Sequence, residues 1–353
     1  MRLNTQEALR WAPGAIGVLV LALAPVLFSE FYVSAVLTKA LWLGIAAASL
    51  IFLAAYAGMV SLGQVALYGV AGFTMGNLVA ADGGSEIALN PWLAALLGLL
   101  AATAIGLFLG AISSRSYGIY FLMLTLAFAV LTYYFFAQVT ELSGFGGINN
   151  VETPGFIGNP IADPFPLFYL TLGISLALYV AIRYLARTPF GLTLQGIRDE
   201  PDRMRALGYN VRLHRTLAFA TGALIAGIAG VISVWWNTRI SPGSVALPQT
   251  IDVLVIAVIG GLFRLEGAWV GALLFAVLDN EIRGVDVIGD RFNTVVGVIF
   301  LAIVLVSPGG LMGIWTSATD FLDRRLAGAR RGREPAVAGR SPANPGSPPA
   351  SET

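Results

Sequence analysis

Apolar residues run through this chain in long unbroken stretches, separated by short clusters of polar residues, glycine and proline. A helix needs about 20 predominantly apolar residues to cross the hydrocarbon core of a bilayer, and fewer when it is buried against neighbours. By that measure the sequence predicts ten membrane helices: 13–29, 35–56, 61–81, 92–112, 117–138, 166–186, 216–236, 250–264, 267–282 and 292–307. The expected fold is therefore an all-α polytopic bundle. Residues 1–12 form its cytoplasmic N-terminus, 13–315 its transmembrane domain and 316–353 a cytoplasmic tail, disordered from about 327. The first stretch follows Arg2 and Arg10 and contains Ala22-Leu23-Ala24, the small-residue spacing of a signal cleavage site. Pro25 directly after it and the many spans that follow favour a retained first helix.

Charge gives the bundle a direction. Lys and Arg near helix ends collect on the cytoplasmic side, whereas acidic residues contribute little. With the N-terminus inside, the inner face receives Arg2, Arg10, Arg115, Arg183, Arg187, Arg198, Arg203, Arg205, Arg212, Arg215, Arg264 and the arginines of the tail. The outer face receives only Lys39, Arg239, Arg283 and Arg291. The inverted arrangement breaks the rule at nearly every loop, so both termini are expected in the cytoplasm. The tail after Ala327 is rich in Arg, Pro, Ser, Ala and Gly, too polar to bury a core.

Composition excludes several chemistries. The chain is 57% hydrophobic and 12% charged with a mean hydropathy of +0.78, against roughly 25% charged in an average soluble domain. Its 41 glycines suit membrane helices, where small residues let backbones approach. Cysteine is absent and His214 is the single histidine, which excludes disulfides, cysteine-based zinc sites and histidine metal clusters. There is no G-x-S-x-G, and His214 lies among arginines, so a hydrolytic triad has no footing. The only lysine is Lys39, outside any G-x-x-x-x-G-K-[ST] loop, so the chain cannot cradle ATP in a P-loop of its own. The spans carry almost no acids, unlike many ion-coupled secondary transporters.

Candidate functional positions fall in three places. Ser61, Gln64, Tyr68 and Gly72 recur at intervals of three or four along the third span and share one face, overlapped by Gly69 and Gly76. Helix packing accounts for such glycines, and Ser61, Gln64 and Tyr68 are alternatively the lining of a solute path. Tyr120 and Thr125 in the fifth span are an interfacial aromatic and a hydroxyl that bonds its own helix, or a pair that faces a subunit interface and lines the same solute path. The outer loop Thr140–Phe165 is turn-rich and carries Glu141, Glu152 and Asp163 with no Lys or Arg, which suits either a connector or a docking loop. The inner segment from Arg187 to Arg215 reads as one or two short helical turns broken at Pro201. Ile197, Met204 and Leu207 form an apolar stripe beneath Arg198, Asp199, Glu200, Asp202, Arg203 and Arg205. It is either a solvated loop or an amphipathic lever lying below the membrane.

Four stretches together resemble the LivM-like permease subunits of branched-chain amino acid ABC importers, the LivHM family. They are Tyr56 to Gln64, Gly118 to Ala129, Thr188-Pro189-Phe190-Gly191 continued by Ile197 to Glu200 and Ala206 to Val211, and Ile259 to Gly271 followed by Pro308 to Gly313. Pro201 and Arg203 depart from the family pattern in the inner segment, and Gly146 to Asn150 match its outer loop only loosely. The resemblance implies a permease, not an enzyme, in a bacterial inner membrane. Its implied partners are a homologous second permease, two ABC ATPase subunits that hold ATP and Mg, and an extracytoplasmic solute-binding protein, with no cofactor on this chain and no nucleic acid. Gly191, Ile197, Arg198, Asp199, Glu200, Ala206, Leu207 and Gly208 are the positions it implies for ATPase coupling. Branched-chain amino acids are the implied solute; urea or short-chain amides, carried by the same permease type, and an ion-coupled secondary transporter are the alternatives.

Overall fold

In lipid every backbone N–H and C=O must be satisfied within the chain, and a helix does this segment by segment. The computed structural model describes residues 21, 23–25, 29–79, 88–140, 142–283, 292–307 and 309–313. Among these residues no strand forms, and an isolated antiparallel bridge joins Ile148 to Ile240. Contacts divide the chain into Met1–Gly313 and Ile314–Thr353. The second unit, the N-terminus and most of the predicted span 13–29 lie outside the described residues.

The helices are α1 (Glu30–Ala57, with a π-helical stretch at Val33–Thr38), α2 (Gln64–Leu78), α3 (Pro91–Ser113), α4 (Gly118–Gln138), α5 (Phe165–Leu185), α6 (Pro189–Asp199), α7 (Pro201–Ala206), α8 (Val211–Asn237), α9 (Leu247–Gly260), α10 (Gly267–Arg283) and α11 (Phe292–Val306). Five of them, α1, α3, α4, α5 and α8, are long and apolar enough to cross a membrane. The predicted spans 61–81, 250–264, 267–282 and 292–307 are helical but shorter, at 15, 14, 17 and 15 residues. At 1.5 Å per residue these reach about 21 to 26 Å, against roughly 30 Å of hydrocarbon. Gly58 to Gly63 stay outside helical structure, so α2 starts at Gln64 rather than at 61.

Burial separates a centre from a periphery. The most apolar window of α1 is 94% buried and that of α8 78%, whereas α3, α4 and α5 bury less than a third of theirs. A helix that is apolar all round and buried all round is a core helix, and α1 packs against α5, α8, α9 and α10. The peripheral helices expose Leu100, Phe108, Leu131 and Val180, apolar surface suited to lipid or to another membrane subunit. Close approach in the interior depends on small residues. A Cβ on Gly230 of α8 would sit 2.1 Å from the carbonyl oxygen of Tyr68, and one on Gly106 of α3 would sit 2.2 Å from Cβ of Ala223.

The contacts gather the described residues into two ends. At one end the turn after α1, the α3–α4 turn, α6, α7, the start of α8 and the α9–α10 turn meet through Arg198 with Ala55, Arg215 with Ser114 and Ser116, and Arg183 with Glu266. At the other, Lys39 pairs with Asp279, Trp236 donates to the carbonyl of Ser34 at 3.1 Å, and Ile148 pairs with Ile240.

Candidate functional site

The arginine-rich end carries the inner segment, and its local sequence explains its shape. Thr188 caps α6, its hydroxyl accepting from the Gly191 N–H at 3.3 Å, with Pro189 at the first helical position. Leu194 and Ile197 are buried while Leu192 is exposed, so α6 is amphipathic. Gly191 is required by close packing: a Cβ there would lie 2.2 Å from the carbonyl oxygen of Leu185. Gln195 donates to the carbonyl of Ala186 at 2.9 Å and ties α6 back to the end of α5. Pro201 forces Glu200 out of helical geometry, to φ −146° and ψ 80°, and the chain restarts as α7.

Beyond that break the segment is exposed. Asp202 and Arg205 pair at 2.7 Å on the surface of α7. Ala206, Leu207 and Gly208 form an exposed apex, Leu207 being 65% exposed. Gly208 takes φ +90°, with open space where a Cβ would be. The expected stripe of Ile197, Met204 and Leu207 is thus corrected: Ile197 is buried, Met204 is half-buried against Gly196, and Leu207 faces outward. Asp199 and Glu200 are exposed as well. The Arg198 guanidinium donates to Asp199 at 2.8 Å and holds its carboxyl below the ordinary carboxylate range.

The segment also ends sooner than 215. Asn210 caps α8, its side chain accepting from the Leu213 N–H at 3.1 Å, so Val211 to Arg215 form the first turn of α8. Within that turn His214 stacks on Phe190. Arg215 is buried rather than a loop cation. It donates to the carbonyls of Ser114 and Ser116 at 2.9 and 2.7 Å and lies 4.0 Å over the Tyr117 ring. Ser114 caps the end of α3, where helical partners run out and the dipole is negative, and Ser116 lies in the turn after it. A cleft of about 370 Å³ opens beside it, lined by Gly58, Met59, Tyr117, Ile119, Arg198 and Pro201 among others.

Ser61, Gln64 and Thr125 come together inside the chain, and Tyr68 is buried one turn further along α2. Ser61 Oγ accepts from the Gly63 N–H at 3.2 Å and from Gln64 Nε2 at 3.4 Å, and Thr125 Oγ1 accepts from the Leu62 N–H at 3.1 Å. Tyr68 hydrogen-bonds Ser233 of α8 and stacks on Trp42. Gln64 is 2% exposed, and its Oε1 has no hydrogen-bond partner. Tyr120 stands apart, 75% exposed on the outside of α4. Five residues along a helix turn the side chain by about 140°, so Tyr120 and Thr125 do not share a face.

Two polar groupings escaped the reading of single residues. Lys39 of α1 pairs with Asp279 of α10, both largely buried. Tyr179 and Arg183 of α5 meet Glu266 at 2.9 and 3.0 Å. Their signal was the sidedness of the spans, which places Lys39 with Asp279 and Arg183 with Glu266. Among the described residues no group of three or more His, Cys, Asp or Glu is placed to hold a metal ion.

Comparison with known proteins adds the family context. A family model described as branched-chain amino acid transport system / permease component matches residues 32–306. The chain is 25% identical over 280 residues to the high-affinity branched-chain amino acid transport system permease protein LivM of Escherichia coli, covering 72% of this chain and 64% of that one. It is 30% identical over 131 residues to the corresponding permease protein BraD of Pseudomonas aeruginosa, covering 37% and 42%. It is also 30% identical over 132 residues to the xylose transport system permease protein XylH of Haemophilus influenzae, covering 35% and 33%. The chain thus spans less than two thirds of the length of each of these relatives. No solved structure matches it.

Proposed function

Because this chain belongs to the branched-chain amino acid transport system / permease component family, we propose that it is a transmembrane permease subunit of an ABC importer in a bacterial inner membrane. Its solutes are leucine, isoleucine, valine or related hydrophobic amino acids. A homologous second permease completes the path, two ATPase subunits hold ATP and Mg, and an extracytoplasmic binding protein delivers the solute. The chain crosses the membrane ten times with both termini in the cytoplasm. The arginine bias toward the end that bears α6 and α7 supports that orientation.

The observation that carries the mechanism is the pairing of a buried root with an exposed apex in one short segment. Gly191, Leu194 and Ile197 root α6 in the bundle, while Asp199, Glu200, Ala206, Leu207 and Gly208 stand clear of it. In this reading the apex seats in a groove of an ATPase subunit, and nucleotide-driven closure rocks the helices to alternate access. Ser61, Gln64, Tyr68 and Thr125 supply polar groups inside an apolar bundle, and Tyr120 faces the second permease. A solute path of this kind needs hydrogen-bonding groups rather than lone charges, which are costly at bilayer depth.

The match to a xylose permease protein shows that relatives of this chain are named for more than one solute, so the solute is tested directly. The chain is co-purified with its partners, and ATP hydrolysis in liposomes is measured with binding protein and a panel of leucine, isoleucine, valine, urea, acetamide and xylose. Stimulation by binding protein loaded with a branched-chain amino acid is the expected result. Stimulation by urea or acetamide alone reassigns the solute within the same mechanism.

A further inference from the structure

The segment of α6 and α7 meets the rest of the bundle on two sides, and the contacts are unequal. Toward α1 the fit is tight. The Arg198 guanidinium donates to the carbonyl of Ala55 in the last turn of α1, where helix carbonyls lack partners and attract cations. Gly58, which ends α1 at φ +66°, leaves the room for this: a Cβ there would lie 2.7 Å from Cγ of Arg198. Ile197 is buried beside it. Toward α4 there is a gap instead, the cleft of about 370 Å³ between Arg198 and Pro201 on one side and Ile119 and Phe121 on the other, with the end of α1 and the turn after it, Ala57 to Val60, along its edge.

We propose that Arg198 and Gly58 pin the coupling segment to the central helix α1, so that displacement of the segment reaches α1 directly and is accommodated by the cleft against α4. This rests on the importer reading above and deepens it. Arg198 becomes an inward-acting positioning residue rather than part of the surface offered to an ATPase. The consequence is mechanical: α1 packs on α5, α8, α9 and α10, so a push on α1 is shared by the whole core. Lysine cannot replace Arg198 fully, because its single ammonium lacks the planar fork that serves Ala55 and Asp199 together.

This chain has no cysteine, so with cysteine-free partner subunits spin labels at introduced cysteines report on this chain alone in the complete complex in liposomes. One pair, Leu192→Cys with Val60→Cys, spans the pin; the other, Leu192→Cys with Ile119→Cys, spans the cleft. Between nucleotide-free and ATP-trapped states the cleft distance should shift by at least about 2 Å, the scale of helix shifts in switching proteins, while the pin distance holds. Arg198→Ala and Gly58→Val should retain bound ATPase subunits and ATP hydrolysis but lose uptake at least tenfold, with Arg198→Lys intermediate. Equal movement of both distances, movement of neither, or full uptake by Arg198→Ala overturns the pin. Crosslinking from Leu207→Cys to the ATPase subunits separates the two ideas. No crosslink in any state defeats the docking reading itself, whereas a crosslink with a failed pin defeats the pin alone.

Discussion

At the arginine-rich end the ties between elements are long side chains that reach backbone carbonyls: Arg198 to Ala55, Arg215 to Ser114 and Ser116, Gln195 to Ala186. At the opposite end Trp236 reaches the carbonyl of Ser34 and Asn77 that of Leu142 in the same way, and the main chain adds ties of its own. Ile148 and Ile240 exchange both backbone hydrogen bonds at 2.8 and 2.9 Å, and the Val151 N–H donates to Thr238 at 2.9 Å. Lys39 and Asp279 add an ion pair to that end's packing. A tie made by a side chain is specific to one residue and can be shifted by a partner pressing on it; a main-chain tie persists through most substitutions. The first suits a moving handle and the second a fixed rim.

The largest effect expected from this contrast is at Arg215. Arg215→Ala leaves the carbonyls of Ser114 and Ser116 without this donor, at about 1–3 kcal/mol each, so a loss of about 2–6 kcal/mol should appear as a lower thermal midpoint in detergent. Next comes the ion pair. Lys39→Met leaves a largely buried carboxylate without its ammonium partner and should cost about 1–3 kcal/mol, less than a fully buried pair because both side chains keep some solvent contact. Lys39→Met with Asp279→Leu should recover part of that loss, and a double-mutant cycle in the same assay reads the coupling.

Gly208 sharpens the contrast in another way. With φ at +90° and no neighbour to strike, Gly208→Trp costs only the backbone strain, about 1–2 kcal/mol. Membrane insertion should be normal while solute uptake falls at least tenfold. Ile148→Val, by comparison, deletes one buried methylene at the rim, should cost about 0.5–1.5 kcal/mol, and should leave uptake per folded complex unchanged. Asp199 comes last. Its carboxyl is depressed by Arg198, so its small contribution is present above the ordinary value of 3.8 and is lost as the pH falls through the lower folded value. Asp199→Asn should therefore remove only an acid-side inflection in the pH–stability curve.

The helices were legible because long apolar runs in a chain this poor in charge have one stable form. Their ends were less so. Asn210 is a good cap residue, yet Arg212 and Arg215 pulled the reading toward a loop, because the charge rule treats every arginine as a surface cation. Burial of Arg215 depends on Ser114, Ser116 and Tyr117, about a hundred residues away in sequence. The common face of Gln64 and Tyr68 follows from helical spacing, whereas Ser61 lies in the turn before α2 and meets Gln64 through a side-chain hydrogen bond, and Thr125 joins them only through α4 packing on that turn. Tyr120 and Thr125 share one family-like stretch, and the helix itself turns them apart. The break at Pro201 was legible from one residue, since proline constrains both itself and its predecessor.

The central claim is that solute movement through this chain is driven by nucleotide on partner subunits. The direct measurement is uptake of labelled leucine into vesicles containing the assembled complex and its binding protein, with ATP supplied on the side that bears α6 and α7, compared with uptake under an imposed proton or sodium gradient without nucleotide. Uptake that requires ATP and binding protein and ignores the gradients is the predicted result. Gradient-driven uptake by this chain alone, without nucleotide, would contradict it and place Lys39 and Asp279 rather than the coupling segment at the centre of the mechanism.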